Sequence, residues 1–369
     1  MSLTVGLGLP HRPPIERGRE FVRLATDRGV DTLWAIDHFA SLVPEAAWHE
    51  DFTPLAAAGG SPNSIFEFQT SMGYFAGQAP GLNLGVGVTE AIRRHPVLLA
   101  QAAVTLSHLT EGTIRLGLGA GERENVEPYG LDFSGQVSRL EEALAVIGQC
   151  LSGSGNITFA GEYFDLDHAP FGLLPPEGRR PEIWVAAHGP RTLGLAGRYA
   201  DGWLPTVLGE PASYSAQLER VRNVASESGR HPDAVTPGLQ VFVAGGESSA
   251  EVASVLASPP AKLLGILQPA GEWERLGYAH PLGGDFRGHA DWRPHRVDRA
   301  GLGLLLAEVP PEVVAGALLH GTPDELVNQV HAYVEVGLQH IVLQPVPGLP
   351  PPPPTSPSSL LSIAQVLTT

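Results

Sequence analysis

The sequence holds a single cysteine, Cys150, among its 369 residues, and its formal net charge is −16. One cysteine cannot form an internal disulfide framework. Sequence-independent binding to nucleic acid needs a basic surface that displaces counterions, which an acidic chain lacks. No apolar run approaches the roughly 20 residues that a membrane-spanning helix requires. We therefore expect no disulfide framework, no nucleic-acid partner and no integral membrane segment.

Signals for export and several catalytic motifs are also missing. The opening MSLTVGLGLPHRPP has neither a basic segment nor a long apolar stretch, which together with the lone cysteine favours a reduced, cytoplasmic setting. The zinc-ligand spacings H-x-H and H-E-x-x-H do not occur, and neither does the G-x-S-x-G turn of serine hydrolases. We therefore expect no metal centre and no serine nucleophile.

What the sequence does contain is a glycine-rich apolar strand at residues 113–120, followed at once by charge. Ile114, Leu116 and Leu118 alternate with glycines, a pattern typical of a buried strand that another backbone or a flat ligand approaches closely. The glycines do not match the dinucleotide fingerprint, because the third comes too early and no helix follows directly. Glu122 comes where the strand ends, so it is a candidate acid or base; a solvated loop carboxylate is the alternative.

Apolar strands and amphipathic helices alternate along most of the chain. Their pattern predicts strands at residues 3–9, 32–37, 82–89, 113–120, 182–187, 201–205, 239–244 and 339–344, and a small hairpin at 156–166. It predicts helices at 15–28, from 64, at 96–108, 136–151, 191–198, 213–228, 322–336 and 358–367. About eight strands favour a closed (β/α)8 barrel over an open doubly wound α/β sheet. We assign a single barrel domain to residues 1–369, with insertions near 40–63 and 258–309 and a proline-rich tail at 345–369.

In such a barrel the carboxyl ends of all strands share one rim, where enzymes of this fold place their chemistry. Here that rim would carry Asp37, His38 and Glu122. His38 alone is as easily structural as catalytic, but beside Asp37 and across the rim from Glu122 it becomes a candidate for proton transfer. Residues 188–192 open a helix, so backbone N–H groups and Arg191 could hold a phosphate there; an ordinary helix start is the alternative.

Four stretches carry a family resemblance: DTLWAIDHF (31–39), GVTEAIRRHPVLLAQ (87–101), LGLGAGERENVEPYG (116–130) and PEIWVAAHGPRTLGLAGRYADGWLP (181–205). Together they resemble the bacterial-luciferase-like superfamily, in the branch that uses the deazaflavin coenzyme F420. Within that branch the chain is most similar to the phthiodiolone ketoreductases, through VAAHGPR, GERE with EPYG, HPLGGDF (280–286) and GTPDE (321–325). The similarity spans about residues 3–344 and fades in the proline-rich tail.

The resemblance implies a (β/α)8 barrel that holds F420 in its C-terminal mouth, with His38 and Glu122 as the proton-transfer pair. It implies that Asp37 contacts the hydroxylated end of the deazaflavin ring, and that a bulge with a cis peptide near Gly87-Val88 supports the ring from behind. The remaining contacts implied for the ring, the ribityl chain and the phosphate are Thr89, Ala120, Gly121, Asn125, His188, Gly189, Arg191, Thr192 and Thr206.

A reduced deazaflavin donates hydride from C5, so the resemblance implies hydride transfer between F420 and a carbonyl or alcohol carbon of a small-molecule substrate. The alkoxide formed from a carbonyl needs a proton donor, for which a histidine suits. An apolar ketone would be covered by Leu42, Val43, Trp48 and Leu55 of the first insertion. Glucose 6-phosphate is not expected, since Leu42 and Gly209 stand where dehydrogenases of this branch have a tryptophan and a lysine.

Two other functions fit the same fold. An FMN-dependent luciferase-like monooxygenase, fed by a separate flavin reductase, would bind FMN more tightly than the deazaflavin and would consume oxygen. A non-catalytic flavin-binding barrel should lack an ionisable pair at the rim, so His38 and Glu122 argue against it. The superfamily usually pairs two barrels through early helices, and the abundant apolar residues at 96–109 lead us to expect a homodimer through 65–79 and 96–108.

Overall fold

The computed structural model describes residues 3–153, 155–206 and 209–368. Its strands are β1 (Thr4–Gly8), β2 (Thr32–Ala35), β3 (Asn83–Thr89), β4 (Ile114–Leu118), β5 (Asn156–Ala160), β6 (Asp165–Pro170), β7 (Glu182–Val185), β8 (Gly202–Trp203), β9 (Thr236–Gly245), β10 (Leu319–Gly321) and β11 (His340–Pro345). Its helices are α1 (Ile15–Asp27), α2 (Phe68–Ala76), α3 (Pro96–Leu109), α4 (Gln136–Leu151), α5 (Pro190–Tyr199), α6 (Pro211–Glu227), α7 (Ser249–Ala257), α8 (Pro259–Ile266), α9 (Ala270–Arg275), α10 (Arg299–Ala307), α11 (Pro311–Gly316), α12 (Pro323–Glu335) and α13 (Leu360–Thr368).

Eight parallel strands of the described chain form a closed ring in the order β9-β11-β1-β2-β3-β4-β7-β8, and β8 pairs back onto β9. The short strand β10, which the sequence pattern did not predict, pairs with the carboxyl end of β9. β5 and β6 form the expected antiparallel hairpin in a separate sheet. Strand residues such as Leu7, Leu33 and Leu116 pack in the main core with helix residues such as Val22 and Leu144. The predicted (β/α)8 barrel is confirmed.

The inside of the ring is filled by two tryptophans. Trp34 of β2 and Trp184 of β7 are fully buried, and their rings meet edge to face with centroids 5.3 Å apart. Glycines on nearby strands make room for them, because a Cβ at Gly6 or Gly85 would lie 2.6 Å from the Trp34 ring and one at Gly202 would collide with Trp184. The barrel is therefore a packed core and not an open tube, so a ligand must sit at its mouth.

The glycines of β4 give space to the neighbouring strand. A Cβ at Gly117 would collide with the carbonyl oxygen of Val86, and one at Gly119 would lie 2.9 Å from the Val88 side chain. β3 bulges at this point, since its pairing with β4 shifts register after Val86. The close approach of another backbone, expected from the glycine pattern, is confirmed, and the space beside these two glycines is taken by protein.

The two predicted insertions pack against each other. Val43 and Phe52 of the first are buried in a second apolar core together with Trp273 and Trp292 of the second. Trp292 Nε1 also donates a hydrogen bond to the carbonyl oxygen of Leu42, at 2.9 Å. The expectation that Val43 helps to cover the substrate is therefore wrong, because its side chain is 2% exposed within this core.

The proline-rich tail returns to the barrel. Its helix α13, which the sequence predicts, packs against β1 and α12 and buries Leu361 and Ile363 in the main core. Arg28 holds the preceding segment by donating a hydrogen bond to the carbonyl oxygen of Pro354, at 2.8 Å. Throughout the described ranges, no helix combines the length and the apolar character needed to cross a membrane.

Candidate active site

His38, Glu122 and Glu124 converge at the carboxyl ends of β2 and β4. His38 Nε2 lies 3.4 Å from Glu122 Oε2, and His38 Nδ1 lies 3.1 Å from Glu124 Oε1. The Glu122 side chain is 31% exposed, whereas that of Glu124 is fully buried. The imidazole therefore sits between a carboxylate that is open to solvent and one that is enclosed by protein.

The surroundings of His38 Nδ1 determine where the protons of the ring lie. Nδ1 is also 3.1 Å from the carbonyl oxygen of Ala40 and 3.2 Å from Asn125 Nδ2. Because Asn125 Nδ2 also donates to Glu124, and two oxygens face Nδ1 at 3.1 Å, we infer that Nδ1 carries a hydrogen. Nε2 is then the nitrogen that exchanges a proton at the mouth. Burial alone would lower the pKa of His38, but the hydrogen bond to Glu124 and the charges of Glu122 and Glu124 raise it to about 9. Burial also raises the pKa of Glu124 to about 7, so at neutral pH the pair holds a proton on His38 while Glu124 is close to its own titration point.

Asn125 holds the loop that carries His38. Its Oδ1 accepts hydrogen bonds from the backbone N–H groups of Phe39 at 2.8 Å and Ala40 at 3.1 Å, and its Nδ2 donates to Glu124 Oε1 at 3.3 Å. The residue is 2% exposed. Both ends of the amide are thus engaged by protein, which gives Asn125 a positioning role; its contact with the cofactor stays a prediction.

Asp37 and Thr89 bind each other instead of facing open space. Thr89 Oγ1 donates to Asp37 Oδ2 at 2.6 Å, and Arg94 donates to both carboxylate oxygens at 2.9 and 3.0 Å. Burial would raise the pKa of Asp37, but Arg94, Arg93 and Thr89 together lower it. These polar atoms anchor the loops after β2 and β3 to each other, and the expected contacts of Asp37 and Thr89 with the deazaflavin ring stay predictions.

Gly87, Val88, Ala120 and Gly121 lie at the ends of β3 and β4, as expected. The Gly87–Val88 peptide bond is cis, and Val88 packs on the cluster of Trp34 and its neighbours inside the barrel. Gly121 has a φ of +92°, a conformation that glycine adopts without strain. Ala120 is partly exposed beside them. These residues thus form a largely apolar ledge above the packed interior of the barrel.

The start of α5 presents free backbone donors. Gly189 is its N-cap and provides no side-chain cap, and a methyl group there would contact nothing within 4 Å. The helix begins at Pro190, which has no N–H, so the backbone N–H groups of Arg191 and Thr192 are the donors that its first turn can offer to an anion. Nearby, Thr206 Oγ1 lies 3.2 Å from His188 Nε2. The structure thus brings His188, Gly189 and Thr206 together on one side of the mouth.

Arg191 and Thr192 are turned toward other partners. Arg191 Nη2 donates to Ser138 Oγ at 2.9 Å and to Glu141 Oε2 at 3.2 Å, so the guanidinium lies against α4. Thr192 Oγ1 donates to the carbonyl oxygen of Gly189 at 3.0 Å and accepts from the backbone N–H of His188 at 3.3 Å. Neither side chain points to the open space in front of the helix, so the backbone is the main anion donor there.

The sequence matches the model of the luciferase-like monooxygenase family over residues 2–340. The chain belongs to this family. A phthiodiolone/phenolphthiodiolone dimycocerosates ketoreductase of Mycobacterium tuberculosis is 40% identical over 334 residues, which cover 90% of this chain and 88% of that protein. The family predicted from the sequence motifs is therefore confirmed.

Two further proteins of known type are similar to this luciferase-like chain. An F420-dependent glucose-6-phosphate dehydrogenase of Nakamurella multipartita is 29% identical over 331 residues, covering 86% of this chain and 83% of that protein. The solved structure of an F420-dependent secondary alcohol dehydrogenase in complex with an F420-acetone adduct matches with a TM-score of 0.75 at 18% identity, covering 100% of this chain and 98% of that chain. At this identity the structural match establishes the shared fold.

Two residues in or near this site, Glu124 and His289, were not predicted from the sequence. Glu124 had a signal, because GERE places a second carboxylate directly after Glu122 and Arg123. His289 had none, since it lies in the second insertion, where the sequence shows no periodic pattern. Its ring stacks on Phe242 with centroids 6.4 Å apart. Burial lowers the pKa of His289, and the charge of Glu122 offsets only part of that shift. A neutral imidazole of the second insertion therefore lies within electrostatic reach of Glu122 and His38.

His38, Glu122 and Glu124 could also be considered as metal ligands, because one donor atom from each lies within 4.8 Å of the others. The two carboxylates, however, contact opposite nitrogens of the His38 ring. A metal on either nitrogen would meet only the carboxylate on that side. The geometry therefore favours a chain of acids and bases at ion-pair distance over a metal centre.

Proposed function

We propose that this luciferase-like protein is an F420-dependent oxidoreductase that moves hydride between the deazaflavin and a carbonyl or alcohol carbon. The observation that carries the proposal is the acid–base chain of His38 between Glu122 and Glu124 at the barrel mouth. The names of the relatives support the cofactor and the reaction, since two of them are called F420-dependent and one a ketoreductase. Ketone reduction is the direction that a protonated His38 suits.

The described residues fit a deazaflavin with a phosphate on its side chain. The backbone N–H groups of Arg191 and Thr192 in the first turn of α5 can hold an anion, and the ledge of Val88, Ala120 and Gly121 provides an apolar seat for a flat ring. When bound in reduced form, F420 supplies a hydride, which leaves negative charge on the oxygen of a carbonyl substrate. The protein must then supply a proton at that oxygen.

His38 is the group that can supply this proton. Its Nε2–H is the one that faces the mouth, so this N–H bond breaks as the new O–H bond forms on the substrate. His38 is left neutral, with its Nδ1 hydrogen still between Glu124 and Ala40. In the direction of alcohol oxidation the neutral Nε2 accepts the alcohol proton instead. Glu122, on the open side, orients Nε2 and borders the substrate.

An apolar ketone is the substrate class that the mouth favours. Phe39 and Tyr129 are 45% and 48% exposed, and their rings lie 4.7 Å apart beside His38. They leave an aromatic surface at the rim, where an apolar substrate can bind. Leu42 and Gly209 offer no charge to a sugar phosphate, and their carbonyl oxygens already accept hydrogen bonds from Trp292 and Tyr333. This supports an apolar ketone over a sugar phosphate.

Cofactor titration tests the proposal directly. Quenching of tryptophan fluorescence should show F420 binding at least about tenfold more tightly than FMN, a difference of about 1.4 kcal/mol. Reduced F420 should then be oxidised when apolar ketones are added, as measured by its absorbance. Equal affinity for FMN, with oxygen consumed when reduced FMN is supplied, would favour the monooxygenase instead. Binding of F420 without any turnover on ketones or alcohols would favour a non-catalytic barrel.

We also propose that two copies pair through α2 and α3. Leu98 and Leu109 of α3 are 60% and 53% exposed, and Tyr74 of α2 is 40% exposed, which together form an apolar surface. Light scattering should give the mass of two chains, and Leu98→Glu should shift that mass toward one chain. Leu304→Glu on α10 is the matched control, because Leu304 is equally exposed on another helix. A single-chain mass for the wild type would contradict this assembly.

A further inference from the structure

Glu124 is a fully buried carboxylate beside the proposed proton donor. Its Oε1 lies 3.1 Å from His38 Nδ1 and accepts from Asn125 Nδ2 at 3.3 Å. Its Oε2 is buried and has no hydrogen-bond partner among the described residues. Burying a carboxylate in this way is costly unless a neighbouring group holds a proton for it. His38 is the group in position to do so.

We propose that Glu124 is the positioning residue for His38: it fixes the Nδ1–H form of the ring and keeps Nε2 able to carry the proton that turnover uses. The proposal rests on the proposed function, in which His38 donates that proton. Glu122 and Glu124 then have different tasks. Glu122 lies at Nε2 and borders the substrate, whereas Glu124 lies at Nδ1, on the enclosed side of the ring. The same division of labour holds histidines in other acid–base sites.

Asn125 links this pair to the backbone of the His38 loop. Its Oδ1 receives the N–H groups of Phe39 and Ala40, while its Nδ2 reaches Glu124. The amide therefore ties the loop after β2 to the segment after β4 that carries Glu124. With the loop held in this way, the backbone beside His38 cannot move away from Glu124 without breaking these bonds. The distance between Nδ1 and Glu124 is thus set by the fold.

The other titratable groups around the pair do not replace Glu124. His11 from the loop after β1 and His289 from the second insertion act on His38, but burial lowers the pKa of both, so they are neutral. Tyr129 lies near Glu124, and burial raises its pKa, so it is also neutral. This leaves Glu122 and Glu124 as the charges that raise the affinity of His38 for its second proton.

Nuclear magnetic resonance of the labelled imidazoles in the cofactor-free protein tests the proposal without any turnover. The spectrum of His38→Gln identifies the His38 signals. In the wild type, the nitrogen shifts should show Nδ1 protonated in the neutral form, and the ring should titrate above its usual range. In Glu124→Gln the pKa of His38 should fall by about one unit or more, because a neighbouring negative charge is removed.

Glu127→Gln is the matched control, since it removes a carboxylate from the same loop that pairs with Arg123 and Arg293 and not with His38. It should leave the His38 titration unchanged. An Nε2–H neutral form in the wild type, or an unchanged pKa of His38 in Glu124→Gln, would overturn the proposal. The tautomer of His38 is measured in the wild type, so this test works even if Glu124→Gln folds poorly.

Kinetics separate this proposal from the function it rests on. On a ketone that is turned over, Glu124→Gln should lower kcat by about 10- to 100-fold with KM nearly unchanged, and should move the alkaline limb of the pH profile to lower pH. Glu122→Gln should raise KM as well, because Glu122 borders the substrate. If the His38 titration responds as expected but no ketone or alcohol is turned over, the proposed function fails while the positioning role of Glu124 stands.

Discussion

The two ends of the barrel each hold one cationic group between two carboxylates, but they use it differently. At the amino-terminal end, Arg115 Nη1 lies 2.6 Å from Asp31 Oδ2 and Arg115 Nε lies 3.2 Å from Glu182 Oε2. At the mouth, His38 lies between Glu122 and Glu124. Both ends of the barrel therefore combine one basic side chain with two carboxylates.

The difference lies in how fully the carboxylates are bound. At the amino-terminal end, Asp31 also accepts from Thr32 Oγ1 at 2.6 Å and from Asn83 Nδ2 at 3.2 Å, and Glu182 accepts from Trp184 Nε1 at 2.8 Å. At the mouth, one oxygen of Glu124 has no partner in the described part of the chain. Each carboxylate at the amino-terminal end is held by two or more donors, which fixes structure, whereas the buried and unbonded oxygen of Glu124 leaves capacity for a proton to move.

Arg115 and His38 also differ in whether their charge can change with pH. An arginine stays charged at every accessible pH, while a histidine changes charge near neutral pH. A permanent cation can only hold its two carboxylates together. A titratable one can deliver a proton and take it back. The contrast supports a structural role for the amino-terminal cluster and the proposed acid–base role for the mouth cluster.

The largest expected effect comes from removing the titratable cation. His38→Gln keeps the length of the side chain and its hydrogen bonding but cannot donate a proton, so turnover should fall by about 10²- to 10⁴-fold. Its unfolding free energy should also fall, by about 1 to 3 kcal/mol, because Glu124 is left buried without its partner. Turnover is measured with reduced F420 and a ketone, and stability by urea unfolding. Near-normal turnover would show that the mouth cluster does not supply the proton.

The reverse result is expected when the permanent cation is removed. Arg115→Met leaves Asp31 and Glu182 without their shared partner, and breaking such a pair costs about 3 kcal/mol of unfolding free energy. Turnover per folded molecule should stay close to that of the wild type, because Arg115 lies at the other end of the barrel. Urea unfolding and active-site titration measure the two quantities. A loss of turnover without a loss of stability would erase the distinction between the two ends.

Much of the barrel follows from local patterns in the sequence. Alternation of apolar strands and helices predicted the ring and placed His38 and Glu122 at strand ends, because periodicity and turn residues are read within a few positions. β10 was missed because Leu319–Gly321 is too short to show a period. His289 was missed because its place depends on how two insertions pack together, which no local pattern encodes.

The assignment of individual site residues shows a second limit. Asp37, Thr89 and Asn125 match motif positions, yet the structure uses their polar atoms to bind Arg94, each other and the backbone of the His38 loop. A motif gives the position of a side chain along the chain. It does not say which partners from distant segments take up its hydrogen bonds, and that decides whether a ligand can use it.

The smallest expected effect is a difference in how stability depends on pH. The pKa of His38 is about 9 in the folded chain, above the ordinary value of about 6.5 expected when unfolded. Below pH 6.5 both states hold the proton and the stabilisation by His38 is complete; it is lost as pH rises toward 9, because the unfolded chain releases its proton first. The wild type should therefore be more stable than His38→Gln at pH 6, by on the order of 1 kcal/mol, and this advantage should vanish by about pH 9. The Arg115 contribution, measured as the difference between wild type and Arg115→Met, should change little over that range, since arginine keeps its charge. Urea unfolding of the three proteins at pH 6, 7.5 and 9 makes the comparison. If the stability advantage of the wild type over His38→Gln grows with pH, then His38 is neutral in the folded chain. Its two carboxylates would then not hold a proton on it.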